Sequence, residues 1–109
     1  MEVKSFDSSE YTNDISKLFF EIFTSKPWFD KWKSISQVKD YLLDIINTPN
    51  FRGFILIDKN HIVGFALGNI KKWYSGNEFY ISEMCIKSDK QRKGLGSILI
   101  KNIEKIILK

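Results

Sequence analysis

Apolar positions along the chain change their spacing several times, and each change marks an element. Val3 to Phe6 is a short β-like run, with Asp7-Ser8-Ser9 as turn and helix cap. From Tyr11 the apolar residues fall at Tyr11, Ile15, Leu18, Phe19, Ile22 and Phe23, the spacing of one helix face. That helix must stop before Pro27, and Pro27-Trp28-Phe29 opens an aromatic link that runs through Trp32. Ser34 with Gln37 fits a capping box. Val38, Tyr41, Leu42, Ile45 and Ile46 then supply the buried face of a second helix, which Asn47-Thr48-Pro49-Asn50 ends. Gly53 to Asp58 is β-rich, and Lys59-Asn60 makes a tight turn into a strand from His61 to Lys71. On that strand Gly64, Ala66 and Gly68 share one face, where small residues let a helix or ligand come close. Phe65 and Leu67 take the other face. Lys72 to Asn77 reads as a loop, Glu78 to Lys87 as the last strand. Leu95, Ile98, Leu99, Ile103, Ile106 and Ile107 form the apolar side of a final helix.

The order is β-α-α-β-β-β-α, a mixed α/β chain, and 109 residues suit one small domain. Hydrophobic residues make up 43% of it, enough for a packed core and against disorder. The formal charge is +4, yet lysines and arginines are scattered over every segment and form no basic stripe, so a nucleic-acid partner is not favoured. Such a partner would have to use Lys71, Lys72, Lys90, Arg92 and Lys93. One cysteine excludes an internal disulfide, and a single His beside it leaves no zinc set. No apolar run approaches the ~20 residues of a membrane span, and Met1 to Asp7 lacks the layout of a secretion signal. A cytoplasmic location is expected.

Between the last strand and the last helix stands Gln91-Arg92-Lys93-Gly94-Leu95-Gly96-Ser97. Two glycines remove side chains where the backbone must bend. The helix that follows turns unpaired N–H groups and its positive dipole end toward the same place. This is the arrangement of a phosphate cradle, although the same glycines would also serve a plain strand-to-helix connection. Neither Gly-x-x-x-x-Gly-Lys-Ser/Thr nor Gly-x-Gly-x-x-Gly is present, so the P-loop and the dinucleotide fingerprint are excluded.

Gln91-x-x-Gly94-x-Gly96 resembles the coenzyme A signature of the GNAT superfamily of N-acetyltransferases. Ile62-Val63-Gly64-Phe65-Ala66, and Met84-Cys85-Ile86 five residues ahead of Gln91, extend the likeness over nearly the whole chain. The resemblance implies a central, mostly antiparallel sheet flanked by helices, acetyl-CoA as acetyl donor, and direct attack by a primary amine of a small molecule, an amino sugar among the candidates. It implies that the main chain of Met84, Cys85 and Ile86 contacts the pantetheine arm. Gln91, Arg92, Lys93, Gly94, Leu95, Gly96 and Ser97 would hold the pyrophosphate.

The attacking amine must be neutral, so a carboxylate near it should take its proton. Glu83 matches an acidic position of the family and is the candidate, with Glu78 and Tyr80 as weaker substitutes on the same strand. The Ile86 N–H is the candidate donor to the developing oxyanion. Cys85 has no His partner and reads as core. His61 reads as a surface turn residue. Trp28 and Trp32, with Phe29, and then Trp73, Tyr74 and Tyr80, are expected to wall an acceptor pocket suited to a cationic amine. In the family a further strand, a helix and closing strands follow the helix that ends here, and they carry the tyrosine that protonates the departing thiolate. Without them the sheet keeps an open edge, through which a second copy of the chain is expected to pair. A non-catalytic coenzyme A-binding module is the alternative reading.

Overall fold

The computed structural model describes residues 1–87 and 94–107. Four strands, β1 (Glu2–Phe6), β2 (Phe51–Asp58), β3 (His61–Trp73) and β4 (Gly76–Ile86), form one antiparallel sheet in the order β1-β2-β3-β4. Helices α1 (Thr12–Phe23) and α2 (Ile35–Ile46) lie on one face and α3 (Leu95–Ile107) on the other.

Each face has its own core, as alternation along the strands dictates. Phe51, Ile55, Phe65, Leu67 and Cys85 point toward α1 and α2, where Ile15, Leu18, Phe19, Ile22, Val38, Leu42 and Ile46 meet them. Phe54, Leu56, Ala66 and Ile86 point the other way, onto Leu95, Leu99, Ile103 and Ile107 of α3. The α3 residues recur every fourth position and so form one stripe. Full burial of each such side chain contributes roughly 1.5–3 kcal/mol.

Local sequence accounts for most boundaries. The Ser34 hydroxyl accepts from the Gln37 N–H at 3.1 Å and caps α2. The Gln37 side chain closes the box one residue early, accepting from the Lys33 N–H at 2.7 Å. Lys59 and Asn60 both take positive φ, 50° and 66°, as a two-residue turn matched to strand twist requires.

Three expectations need correction. Asp7-Ser8-Ser9 does not cap α1, because a 3-10 turn over Ser9–Tyr11 intervenes. The α1 N-cap is Tyr11, whose ring packs edge-on against Phe6 at 5.2 Å, while the Thr12 hydroxyl donates back to the Ser9 carbonyl at 2.7 Å. The Lys72–Asn77 loop shrinks to Tyr74-Ser75, because β3 runs on to Trp73 and β4 starts at Gly76. Finally, the small residues of β3 make room for the neighbouring strand. A Cβ at Gly64 would lie 2.6 Å from Ile86 Cδ1, and one at Gly68 would lie 1.8 Å from the Tyr80 carbonyl oxygen.

Candidate active site

The pairing of β4 with β3 decides where each side chain of the motif points. Phe65 stands opposite Cys85 and Leu67 opposite Glu83, but Gly68 stands opposite Ile81. Ser82 is therefore the extra residue of a β-bulge. In a regular strand, residues three apart face opposite ways. The bulge cancels this, and Tyr80, opposite Asn69, returns to the face that carries Glu83 and Cys85. Lys71 Nζ sits 4.0 Å from the centre of the Tyr80 ring, and Lys71 also stands opposite Glu78.

On that face Glu83 meets an aromatic ridge. Trp32, Phe19 and Tyr41 form a triangle of rings, with Trp32 5.4 Å from Phe19 and 5.3 Å from Tyr41, and Phe19 reaches Trp28 through Phe23. The Tyr41 hydroxyl donates a hydrogen bond to Glu83 Oε1. Burial first, then that bond and the Glu83 charge, push the Tyr41 phenol up to about 12. It stays a protonated donor throughout the physiological range. Cys85 is buried beside the same carboxylate. Its thiol is pushed up to about 12, by burial first and then by the charges of Glu83 and Glu21. A thiol so protonated is no nucleophile, which agrees with its place in the core.

The opposite face of β4 carries a groove. Met84 on one side and Gly96, Ser97, Ile100, Lys101 and Glu104 of α3 on the other line a cavity of about 510 Å³. Gly94 takes φ 70° just before α3, a left-handed conformation that favours glycine, and accepts from the Ile98 N–H. A Cβ on Gly96 would come within 3.6 Å of Met84 Cε, so any longer side chain would enter the groove. At the end of β4 the Lys87 N–H donates to the Val63 carbonyl at 2.7 Å. Alternation of the antiparallel ladder then turns the main-chain polar groups of Met84 and Ile86 toward the outer edge of β4. Ile86 of β4 and Leu95 of α3 bury their side chains in the core between the sheet and that helix. Gln91, Arg92 and Lys93 lie outside the described residues.

An acetyltransferase (GNAT) family model matches residues 12–109. The chain belongs to the GNAT acetyltransferase family. No curated protein matches it. Among solved structures it is similar to an aminoglycoside acetyltransferase from an uncultured soil metagenomic sample in complex with sisomicin. The TM-score is 0.66 at 21% identity, over 97% of this chain and 68% of that one. It is also similar to a GNAT family acetyltransferase of Staphylococcus aureus, with TM-score 0.68 at 21% identity, over 98% of this chain and 78% of that one. A third, an aminoglycoside N-acetyltransferase in complex with CoA, gives TM-score 0.64 at 13% identity, over 95% of this chain and 66% of that one. These likenesses establish the fold.

In this GNAT domain the expected acceptor residues separate into two groups. Trp32 touches the Tyr41 ring beside Glu83, Trp28 lies farther along the same ridge, and Tyr80 shares the face. Trp73 and Tyr74 pair with each other at 5.3 Å on the tip of the β3–β4 hairpin. Trp73 lies six steps along β3 from Leu67, the partner of Glu83, which is about 20 Å along the sheet. Tyr41 itself was expected in the core of α2 but is 36% exposed at the rim of the helix. Its signal was available: a tyrosine in an apolar stripe needs a partner for its hydroxyl. Ile100, Lys101 and Glu104 fall on the Gly96-Ser97 side of α3 by helical spacing, and that periodicity could have found them.

Two further observations bear on function. Asp14, Lys17, Glu21, His61 and Lys87 border a second cavity of about 330 Å³, where mixed charges select no one ligand class. Among the described residues no group of three or more His, Cys, Asp or Glu could hold a metal ion, and no helix is long and apolar enough to cross a membrane.

Proposed function

We propose that the chain is an acetyl-CoA-dependent N-acetyltransferase whose acceptor is a primary amine of a small molecule, amino sugars included. The observation that carries this reading is the division of β4. One of its faces presents Glu83 to an aromatic ridge, and the other, one residue along at Met84, opens on a groove at the start of α3. The groove suits a long, thin ligand arm, and the left-handed Gly94 and bare Gly96 suit close approach of an anionic group to the helix start.

Bound acetyl-CoA supplies an acetyl thioester open to attack by an amine. Met84, Gly96 and Ser97 would hold it, with Gln91, Arg92 and Lys93 completing the cradle. Glu83 takes the proton of the acceptor ammonium or of the attacking amine. Trp32 offers a π face that favours a cation on the same side of the sheet, whereas the Tyr80 ring already holds Lys71 Nζ. Aminoglycoside acetyltransferases among the similar structures support an amine-rich sugar as acceptor.

The test combines calorimetric titration of acetyl-CoA with a thiol-release assay on sisomicin, glucosamine and spermidine, for wild type and Glu83→Gln. Transfer by wild type that falls at least ~100-fold in the variant, with binding of acetyl-CoA kept, is the expected result. Binding without transfer to any amine would overturn catalysis and leave a coenzyme A-binding module. Absence of binding would overturn both.

A further inference from the structure

We infer that Tyr41 is a positioning residue for Glu83, which it holds with one carboxylate oxygen engaged and the other directed to the acceptor amine. The inference deepens, and rests on, the reading of Glu83 as the base.

Tyr41 lies 42 residues before Glu83 in the chain, on α2, and reaches it across the edge of the sheet. Its phenol donates to Glu83 Oε1, and one hydroxyl proton can engage one oxygen only. Oε2 is left to receive the proton from nitrogen. The phenol is not free to wander, since its ring is packed against Trp32 at 5.3 Å and Phe19 at 6.0 Å. A glutamate on a half-exposed edge strand would otherwise sample several rotamers, and only some would face an amine.

The neighbouring ionisable groups agree with this role. Cys85 of β4 is held neutral, and Glu21 of α1 sends its charge toward Cys85. The phenol remains protonated well above the pH at which an amine is acetylated, so it can only donate to the carboxylate. The hydrogen bond is charge-assisted, the stronger class of such contacts.

Tyr41→Phe keeps the ring and removes the hydroxyl. With acetyl-CoA and sisomicin as probes, kcat should fall about tenfold, while KM for sisomicin changes less than about twofold. On a Glu83→Gln background the same substitution should add little, because the two side chains act as one unit. A second readout needs no turnover. Alkaline titration of tyrosinate absorbance should show one late-ionising tyrosine that is lost in Tyr41→Phe and moves to lower pH in Glu83→Gln. Transfer lost in Glu83→Gln but kept at wild-type kcat in Tyr41→Phe would overturn the role of Tyr41 alone. An unmoved tyrosine titration in Glu83→Gln would also overturn it, whatever the activity. Full transfer by Glu83→Gln, or none by wild type, would overturn the reading of Glu83 and the inference with it.

Discussion

Gly68 faces the Tyr80 carbonyl so closely that a Cβ there would lie 1.8 Å from the oxygen. The contact sits beside the Ser82 bulge, where β3 and β4 change register. Backbone cannot yield as a side-chain tip can. Gly68→Ala should therefore cost roughly 3 kcal/mol or more. At Gly64 the nearest atom to a new Cβ is the flexible Ile86 Cδ1 at 2.6 Å, with the Cys85 carbonyl at 3.0 Å. Gly64→Ala should cost only about 1–2 kcal/mol. Urea unfolding monitored by circular dichroism ranks the two, and equal costs would refute the distinction.

Cys85 should react slowly. Its thiol ionises from the usual 9.0 up to about 12, so little thiolate exists at pH 8. Disulfide-exchange reagents should label the native chain at least ~100-fold more slowly than the chain in guanidinium. Cys85 and Tyr41 both favour their neutral forms in the fold. Their contribution to stability is therefore complete below pH 9 and 10 respectively, and is lost as pH rises toward 12. Thermal unfolding followed from pH 8 to 12 checks that direction. Rising stability across this window would contradict it.

Gly96 separates folding from ligand binding. A methyl group there meets Met84 Cε at an ordinary 3.6 Å, so Gly96→Ala should leave the melting temperature unchanged or slightly raised. Gly96→Leu sends a larger group into the groove and should weaken coenzyme A binding at least ~10-fold by calorimetry. If both variants bind as wild type does, the groove is not the coenzyme site.

Trp32 and Trp73 are both aromatic, and only one stands near Glu83. Trp32→Ala should raise KM for a cationic aminoglycoside roughly tenfold, through loss of a π face and of support for Tyr41. It should also lower stability by about 1–3 kcal/mol, since it uncovers Phe19. Trp73→Ala should leave KM within about twofold, because the residue lies about 20 Å away along the sheet. Equal effects on KM would show that the hairpin tip folds over the acceptor.

Most elements were legible in the chain because their causes are local. The fourfold recurrence of Leu95, Leu99, Ile103 and Ile107 needs only a helix to become a stripe, and Ser34 caps whatever helix follows it. Gly94 and Gly96 mark a helix start with two positions bare of side chains, and the structure puts Gly96 against Met84. The Lys72–Asn77 segment was harder to read, since aromatic and glycine residues suit a loop and a long hairpin equally.

The sequence by itself determined the order of strands and helices, the two core faces and the family, because periodicity and short motifs depend on neighbours along the chain. Tertiary structure alone decided which side chains meet. Whether Ser82 bulges depends on how β4 registers against β3, and that choice turns Tyr80 to the same face as Glu83. Tyr41 was readable as a core residue of α2 until the sheet edge brought a carboxylate to its hydroxyl. A hydrogen bond between residues 42 apart is set by packing, and no local pattern encodes it.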